Sequence, residues 1–284
     1  MSAPLILDLD GSVGDIGLSD RLPLQHWQER LRFSCRRRDM QHFATAIAPM
    51  LMAPHGTVLM GSGDFHHLSL PLIEFEARRR QVRVVVLDNH PDNMRFLFGL
   101  HCGSWVGRAA ALPGVADVHV LGISSADAGR RHAWENQLGA LRSGRVHYWC
   151  VGVDTSWAGK RGITTLRNFD SPQQLLAEFI PAMANDPMPV YFSIDKDVFA
   201  PEVVRTNWDQ GRFLLDDALT VISALRSRIV ASDITGEVSM YRYRSLFKRL
   251  LSRIDQQPDP CQDEIDGWQR GQAEVNRRLL VALP

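Results

Sequence analysis

Val82-Arg83-Val84-Val85-Val86-Leu87-Asp88-Asn89-His90-Pro91-Asp92 joins an apolar, β-branched run to a cluster of polar residues. A run this continuous has no polar face to offer water, so it suits a central strand of a parallel sheet covered on both sides. Runs of the same kind recur at Leu5–Leu9, Thr57–Met60, Val118–Leu121, Val146–Val151, Val190–Ile194 and Arg228–Ile234. Between them lie stretches with apolar residues at helical spacing, including Leu68–Arg80, Pro172–Met183 and Leu214–Arg226, which follow Asp, Ser or Pro start signals. Strands alternating with helices predict an α/β fold, a three-layer α/β/α sandwich around a mainly parallel sheet of about seven or eight strands.

No linker, repeat or low-complexity tract interrupts residues 1–250, and the composition shifts only at Gln256-Gln257-Pro258-Asp259-Pro260. One domain is therefore expected over residues 1–255. A tail over 256–284 follows, in which Glu264–Leu280 reads as a terminal helix, anchored by Trp268, that packs on the same domain or on a neighbouring subunit. The 284 residues are 45% hydrophobic, enough for a substantial core, which excludes disorder as the main state. The 32 Lys and Arg balance 32 Asp and Glu, so no global attraction to nucleic acid or an anionic membrane is expected. The short basic runs Arg36-Arg37-Arg38 and Arg78-Arg79-Arg80 read as solvated helix faces or subunit contacts. Apolar stretches such as Ile47–Ala53 fall well short of the roughly 18 residues that span a bilayer, and Met1-Ser2-Ala3-Pro4 has no secretory pattern, so a cytoplasmic location is expected. Cys35, Cys102, Cys150 and Cys261 are widely spaced and read as free thiols.

In open parallel sheets ligands bind beyond the carboxyl ends of the strands, so the residues just after each apolar run carry the chemistry. Asp88, His90 and Asp92 stand at i, i+2 and i+4, and Pro91 pushes His90 toward extended geometry, so all three side chains are expected to point one way. Ser193-Ile194-Asp195-Lys196-Asp197 repeats an i, i+2 carboxylate pair after a later strand. Met60-Gly61-Ser62-Gly63-Asp64-Phe65-His66-His67 follows the second strand with a glycine-rich turn and adds an imidazole. The set is rich in oxygen and free of thiolate, which suits a hard or borderline divalent ion such as Mn²⁺. Four clustered carboxylates repel one another, and two divalent ions at about 3.5–4 Å would neutralise them and generate a bridging hydroxide.

In order and spacing these elements resemble the arginase and agmatinase superfamily of ureohydrolases over about residues 5–245. Gly61-Ser62-Gly63-Asp64-Phe65-His66-His67 approximates the family's Gly-Gly-Asp-His-Ser element; Asp88, His90 and Asp92 match its Asp-x-His-x-Asp. Ser193, Asp195, Asp197 and Pro201 match its Ser-x-Asp-x-Asp-x-x-Asp-Pro, with Ala200 in place of the last aspartate. The resemblance implies an arginase-like fold and a site for two Mn²⁺, with Zn²⁺, Ni²⁺, Co²⁺ or Fe²⁺ as other divalent candidates. It implies hydrolysis of a guanidino or amidino C–N bond in a small-molecule substrate, and a homo-oligomer. The implied ligands are Asp88, His90, Asp92, Asp195, Asp197 and His66; a gapless match would put Phe65 at the histidine position, and His67 is the alternative to His66. Asp92 and His101 are the implied catalytic residues, with His101, in His101-Cys102-Gly103, placed as a proton shuttle that titrates near neutrality. The family's substrate-binding glutamate aligns with Gly236, which leaves His67, Glu237 and Asp233 as substrate-side candidates. The loop Thr206–Gly211 also departs from the family pattern, so the substrate is left open.

Three rival readings compete. Leu5-Ile6-Leu7-Asp8-Leu9-Asp10-Gly11-Ser12 resembles the first motif of haloacid-dehalogenase-type phosphatases, but that reading leaves Asp88-x-His90-x-Asp92 unexplained, and Asp216-Asp217 reads as a helix start. A mononuclear zinc deacetylase has no use for both Asp92 and the second aspartate of the 195/197 pair. An arginase-fold binding or regulatory protein would keep the ligands and lose the activity. Trp105, Trp157 and Trp208 read as core residues, one or more of which could wall a pocket for a planar cation.

Overall fold

Alternate residues of the Val82–Leu87 strand serve different layers. Val84 and Val86 belong to one buried cluster, Val85 and Leu87 to a second on the opposite face, as the two-residue strand period requires. The computed structural model describes residues 2–245, 248–249 and 262–284. Its central sheet has nine strands rather than seven or eight: β1 (Leu5–Asp8), β2 (Asp20–Pro23), β4 (Val58–Leu59), β5 (Val82–Leu87), β7 (Val115–Ile123), β8 (Val146–Val151), β9 (Leu166–Phe169), β10 (Val190–Asp195) and β11 (Ile229–Thr235). They lie in the order β2-β1-β4-β11-β10-β5-β7-β8-β9, every pair parallel. The two unanticipated strands are the two edges. β2 is exposed and polar and ends in Pro23, and β9 is at best half-buried, so neither writes an apolar run into the sequence.

Helices Arg37–Met52, Ser69–Ala77, Val106–Ala110 and Leu138–Arg142 contribute to the first cluster, and Pro172–Ala184, Leu215–Leu225 and Gln262–Ala282 to the second. This is the three-layer α/β/α arrangement. The expected tail boundary near residue 256 lies outside the described residues. Within the C-terminal helix the buried anchors are Ile265, Val275 and Leu279; Trp268, which the sequence suggested, is only half-buried. Leu279 and Val275 share the cluster of helix Leu215–Leu225, and Arg226 donates to the Ala282 carbonyl at 2.6 Å.

Among the described residues no helix is long and apolar enough to cross a membrane. Both triple-arginine runs are exposed, with Arg78 paired to Glu74 at 2.5 Å. Cys35, Cys102 and Cys150 are buried, and Cys261 lies outside the described residues. A small antiparallel pair, β3 (Ser34–Cys35) with β6 (Leu100–His101), ties the His101 loop to the segment after Phe33.

β7 and β8 also bring the His119 and His147 rings into a parallel stack, with centroids 4.4 Å apart. Burial pushes the His147 imidazole down to about 4 and lowers that of His119, although Asp117 works in the opposite direction on the latter. An unfolded histidine titrates near 6.5. Between about pH 6.5 and 4 the unfolded chain therefore binds more protons at these rings than the native one, so stability falls as the pH falls through that window. The midpoint of thermal unfolding should drop from pH 7 to pH 4.5, and His147→Gln should flatten the drop; an unchanged pH slope in the variant would refute the assignment. Leu279→Ala should cost about 2–5 kcal/mol in urea unfolding, and Val281→Ala, on the exposed face of the same helix, less than about 0.5 kcal/mol.

Candidate metal centre

Residues just beyond the carboxyl ends of β4, β10 and β5 line one cavity of about 340 Å³, with β11 between β4 and β10 in the sheet. His66, Asp88, His90, Asp92, Asp195 and Asp197 all line it, and so does His101. The Asp88–Asp92 segment does not reach this arrangement by staying extended. The chain bends at Asn89 and His90, and Asp92 takes a left-handed φ of 45°, a strained conformation for a residue other than glycine. Trp105 holds that carboxylate from behind, its indole N–H donating to Asp92 Oδ2 at 2.7 Å.

The turn after β4 decides between the two adjacent histidines. Ser62 caps a 3₁₀ turn over Gly63–Leu68 by accepting from the Asp64 N–H, and the turn aims His66 at the carboxylates. His66 Nε2 lies 3.1 Å from Ser193 Oγ, whose hydroxyl donates to Asp233 Oδ1 at 2.7 Å. That chain puts the ring proton on Nε2 and leaves the Nδ1 lone pair free. Nδ1 sits 2.9 Å from Asp92 Oδ2, 3.2 Å from Asp88 Oδ2 and 3.5 Å from Asp195 Oδ2, yet it has no aligned hydrogen-bond partner, and neither does Asp88 Oδ2.

His90 lies between carboxylates on both sides: its Nε2 is 2.7 Å from Asp209 Oδ1, and its Nδ1 is 2.9 Å from Asp197 Oδ2 and 3.6 Å from Asp88 Oδ1. Two groups with metal-compatible spacing result, His66–Asp88–Asp92 and Asp88–His90–Asp197, with Asp88 common to both. A lone pair directed at carboxylates is repulsive unless a cation stands between them. The donors, all imidazole nitrogen and carboxylate oxygen, suit a hard or borderline divalent ion. Burial raises the carboxyls of Asp195 and Asp197, and the neighbouring carboxylates, Asp197 beside Asp195 and Asp88 beside both, push the same way. Two protonated imidazoles are the other way to balance this charge: burial alone would lower His66 and His90, but the carboxylates around them hold both well above the usual histidine range.

The other candidates lie elsewhere. His67 is fully buried, lines no part of the cavity, and is pushed far down by burial and by nearby cations. Asp233 accepts from Tyr191 Oη at 2.5 Å and from Ser193, beneath His66. Glu237 pairs with Lys196 away from the cavity. His101 lines the cavity, but burial lowers it to about 4, so it does not titrate near neutrality. Its Nδ1 accepts from the Gly103 N–H at 3.0 Å, which leaves a neutral ring carrying its proton on Nε2.

Of the three tryptophans, Trp208 walls the cavity, parallel to Phe33 at 6.1 Å; Trp105 supports Asp92; and Trp157 is core, bonded to the Ala128 carbonyl at 3.0 Å. Asp209 and Trp105 are functional neighbours that motif spacing does not reveal, since each lies far in sequence from the group it holds. The rival aspartates are structural. Asp8 accepts from the Gly11 N–H at 3.0 Å and from Gln25 at 2.8 Å, and Asp10 accepts from Ser12 and Ser239 and faces the buried Arg32. Asp217 caps helix Leu215–Leu225 through the Leu214 N–H at 2.8 Å. A third His/Asp group, Asp117–His119–His147, is unsuited to a metal. Both Asp117 oxygens accept from Arg83, and Trp149 donates to His119 Nδ1 at 3.1 Å, so His119 Nε2 carries the proton and has no lone pair to give.

The fold has known counterparts. Formimidoylglutamase from Bacillus subtilis superposes with a TM-score of 0.59 at 14% identity, over 99% of this chain and 86% of that one. The agmatine ureohydrolase of Thermoplasma volcanium gives 0.56 at 13% identity, over 99% and 88%. A Trypanosoma cruzi formiminoglutamase variant holding two Mn²⁺ gives 0.55 at 14% identity, over 89% and 74%. In sequence, a Thermotoga maritima protein described only as uncharacterized is 30% identical over 239 residues, 84% of this chain and 71% of its own. The sequence profile of the arginase family matches residues 12–239. The chain belongs to the arginase family.

Proposed function

We propose that the chain is a binuclear metal-dependent hydrolase, cytoplasmic, that cleaves a C–N bond in a small guanidino or amidino compound. The observation that carries this reading is the pair of histidine–carboxylate groups sharing Asp88, with His66 Nδ1 and Asp88 Oδ2 buried there without hydrogen-bond partners. Mn²⁺ is the proposed ion, in line with the two Mn²⁺ of the Trypanosoma cruzi relative. When bound, a pair of divalent ions supplies Lewis acidity and a water-derived nucleophile at neutral pH. His66, Asp92 and Asp195 would hold one ion, His90 and Asp197 the other, and Asp88 both. Asp92 is also placed to accept a proton from the attacking water. His101 presents Nε2–H to the cavity, where it can hydrogen-bond to the substrate.

The rest of the cavity bears on substrate class. Phe33, Phe96 and Trp208 provide aromatic walls, Asp127 and Glu135 add carboxylates, and among the described residues no Lys or Arg lines it. A substrate carboxylate would find no cationic partner there, whereas a planar cation would find both rings and anions. The substrate is therefore proposed to be an alkyl guanidine or amidine without a carboxylate. A metal-binding chain without turnover is the second reading, favoured by one observation: Gly236 stands where the family's substrate-binding glutamate would align, and Glu237 beside it is committed to Lys196.

Elemental analysis of protein purified without chelator and reloaded with Mn²⁺ should give near two ions per chain. Asp92→Asn should lower this to about one, and Asp88→Asn should deplete both sites, with at least a hundredfold loss of turnover in each variant; wild-type metal content in Asp88→Asn would refute a shared ligand. Ammonia or urea release over a panel of guanidines should favour agmatine-like compounds over arginine, guanidinobutyrate and formiminoglutamate by at least tenfold in kcat/KM. A preference for the carboxylates would overturn the substrate assignment, and two bound ions with no turnover of any compound would favour the second reading.

A further inference from the structure

Lys196 stands between two candidate ligands and faces away from both. Asp195 and Asp197 line the cavity, and the lysine between them enters the interior, where its side chain has no solvent exposure at all. Its ammonium donates to the Glu237 carboxylate, to Asn276 Oδ1 at 3.0 Å and to Gln272 Oε1 at 3.2 Å. Three acceptors meet three protons. The acceptors are tied to one another and to the backbone: Asn276 Nδ2 donates to Glu237 Oε1 at 2.8 Å, and Gln272 Nε2 donates to the carbonyls of Gly236 at 2.8 Å and Arg205 at 2.5 Å.

The same network reaches the ligands from two other sides. Gly236 has φ +96°, and a Cβ there would stand 2.5 Å from Asp195 Oδ1 and 2.6 Å from the Lys196 backbone nitrogen, so only glycine lets the segment after β11 back directly onto that carboxylate. The Glu237 N–H donates to the Gly61 carbonyl at 3.0 Å, at the start of the turn that carries His66. A buried ion pair is a weak source of stability, because desolvation offsets the attraction, and one kept in place calls for a role in fixing geometry.

We infer that Lys196, Glu237, Gln272 and Asn276 form a cradle through which the C-terminal helix Gln262–Ala282 sets the aim of the Asp195 and Asp197 carboxylates. None of the four lines the cavity, so they are positioning residues. The helix is thereby part of the metal centre's support as well as of the core. This inference rests on the metal-centre reading above, which the same experiment tests separately.

The test is Mn²⁺ titration of the full chain, followed by the electron paramagnetic resonance signal of the free ion, at a temperature where circular dichroism shows a wild-type fold. Asn276→Ala and Gln272→Ala should each weaken Mn²⁺ binding by roughly ten- to a hundredfold, as removal of groups behind metal ligands does. Arg277→Ala, on the exposed side of the same helix, should leave the affinity unchanged. Lys196→Met strands a buried carboxylate, so the two amide variants decide. Folded Asn276→Ala or Gln272→Ala protein with wild-type Mn²⁺ affinity would overturn the cradle while leaving the metal centre standing. A wild-type chain that takes up no Mn²⁺ would overturn the metal centre and the cradle with it.

Discussion

Four buried carboxylates, Asp88, Asp92, Asp195 and Asp197, are held on one cavity at the end of a sheet, and most of the surrounding architecture exists to keep them there. Like charges this close and this dry repel strongly. The fold meets that cost by fixing each group from behind. Trp105 holds Asp92, the Asn89 N–H donates to Asp197 Oδ1 at 3.0 Å, and the His90 N–H donates to Asp88 Oδ1 at 2.6 Å. The histidines are treated likewise, His66 by the Ser193–Asp233 pair and His90 by Asp209. Two inward-facing atoms, His66 Nδ1 and Asp88 Oδ2, are left buried without partners.

The sheet order makes this convergence possible. β4, β11, β10 and β5 are neighbours, so loops far apart in sequence emerge side by side from a rigid parallel platform. The helix-covered interior behind them is continuous: the clusters on the two faces meet the strands from opposite sides. A change deep in the sheet would therefore reach the ligands, while the loops above can vary with little effect on the core.

The central strands and the side chains that share the cavity were largely legible in the sequence because they carry dense local signals. Val82–Leu87 is apolar at nearly every position, and Asp88, His90, Asp92, Asp195 and Asp197 stand at fixed spacing just beyond two such runs. β2 and β9 escaped because edge strands are half-wet and need no apolar run. The choice of His66 over His67 turned on the Ser62-capped 3₁₀ turn, whose geometry a pattern of residue types does not specify. The extended path expected for Asp88–Asp92 was replaced by a bend with a left-handed Asp92, an exception to local propensity of the kind tertiary constraints impose at sites. Asp209, Trp105 and the Lys196–Glu237 pair were illegible for a common reason: each acts on a partner that the chain reaches only after folding.

Glu237 shows why that last class matters. From its place near the end of β11 it looks like a displaced substrate ligand, but Gly236 beside it turns the backbone so that the carboxylate runs inward to Lys196. The same glycine brings the backbone against Asp195, closer than any side chain would allow. The strand end that could have offered a substrate contact is thus committed to the metal side of the cavity. The rest of the cavity wall is supplied by the aromatic and acidic residues Phe33, Phe96, Asp127, Glu135 and Trp208. Phe96 shares a loop with Asp92, and Trp208 precedes the Asp209 that contacts His90, so the walls of the cavity and its candidate ligands are built together.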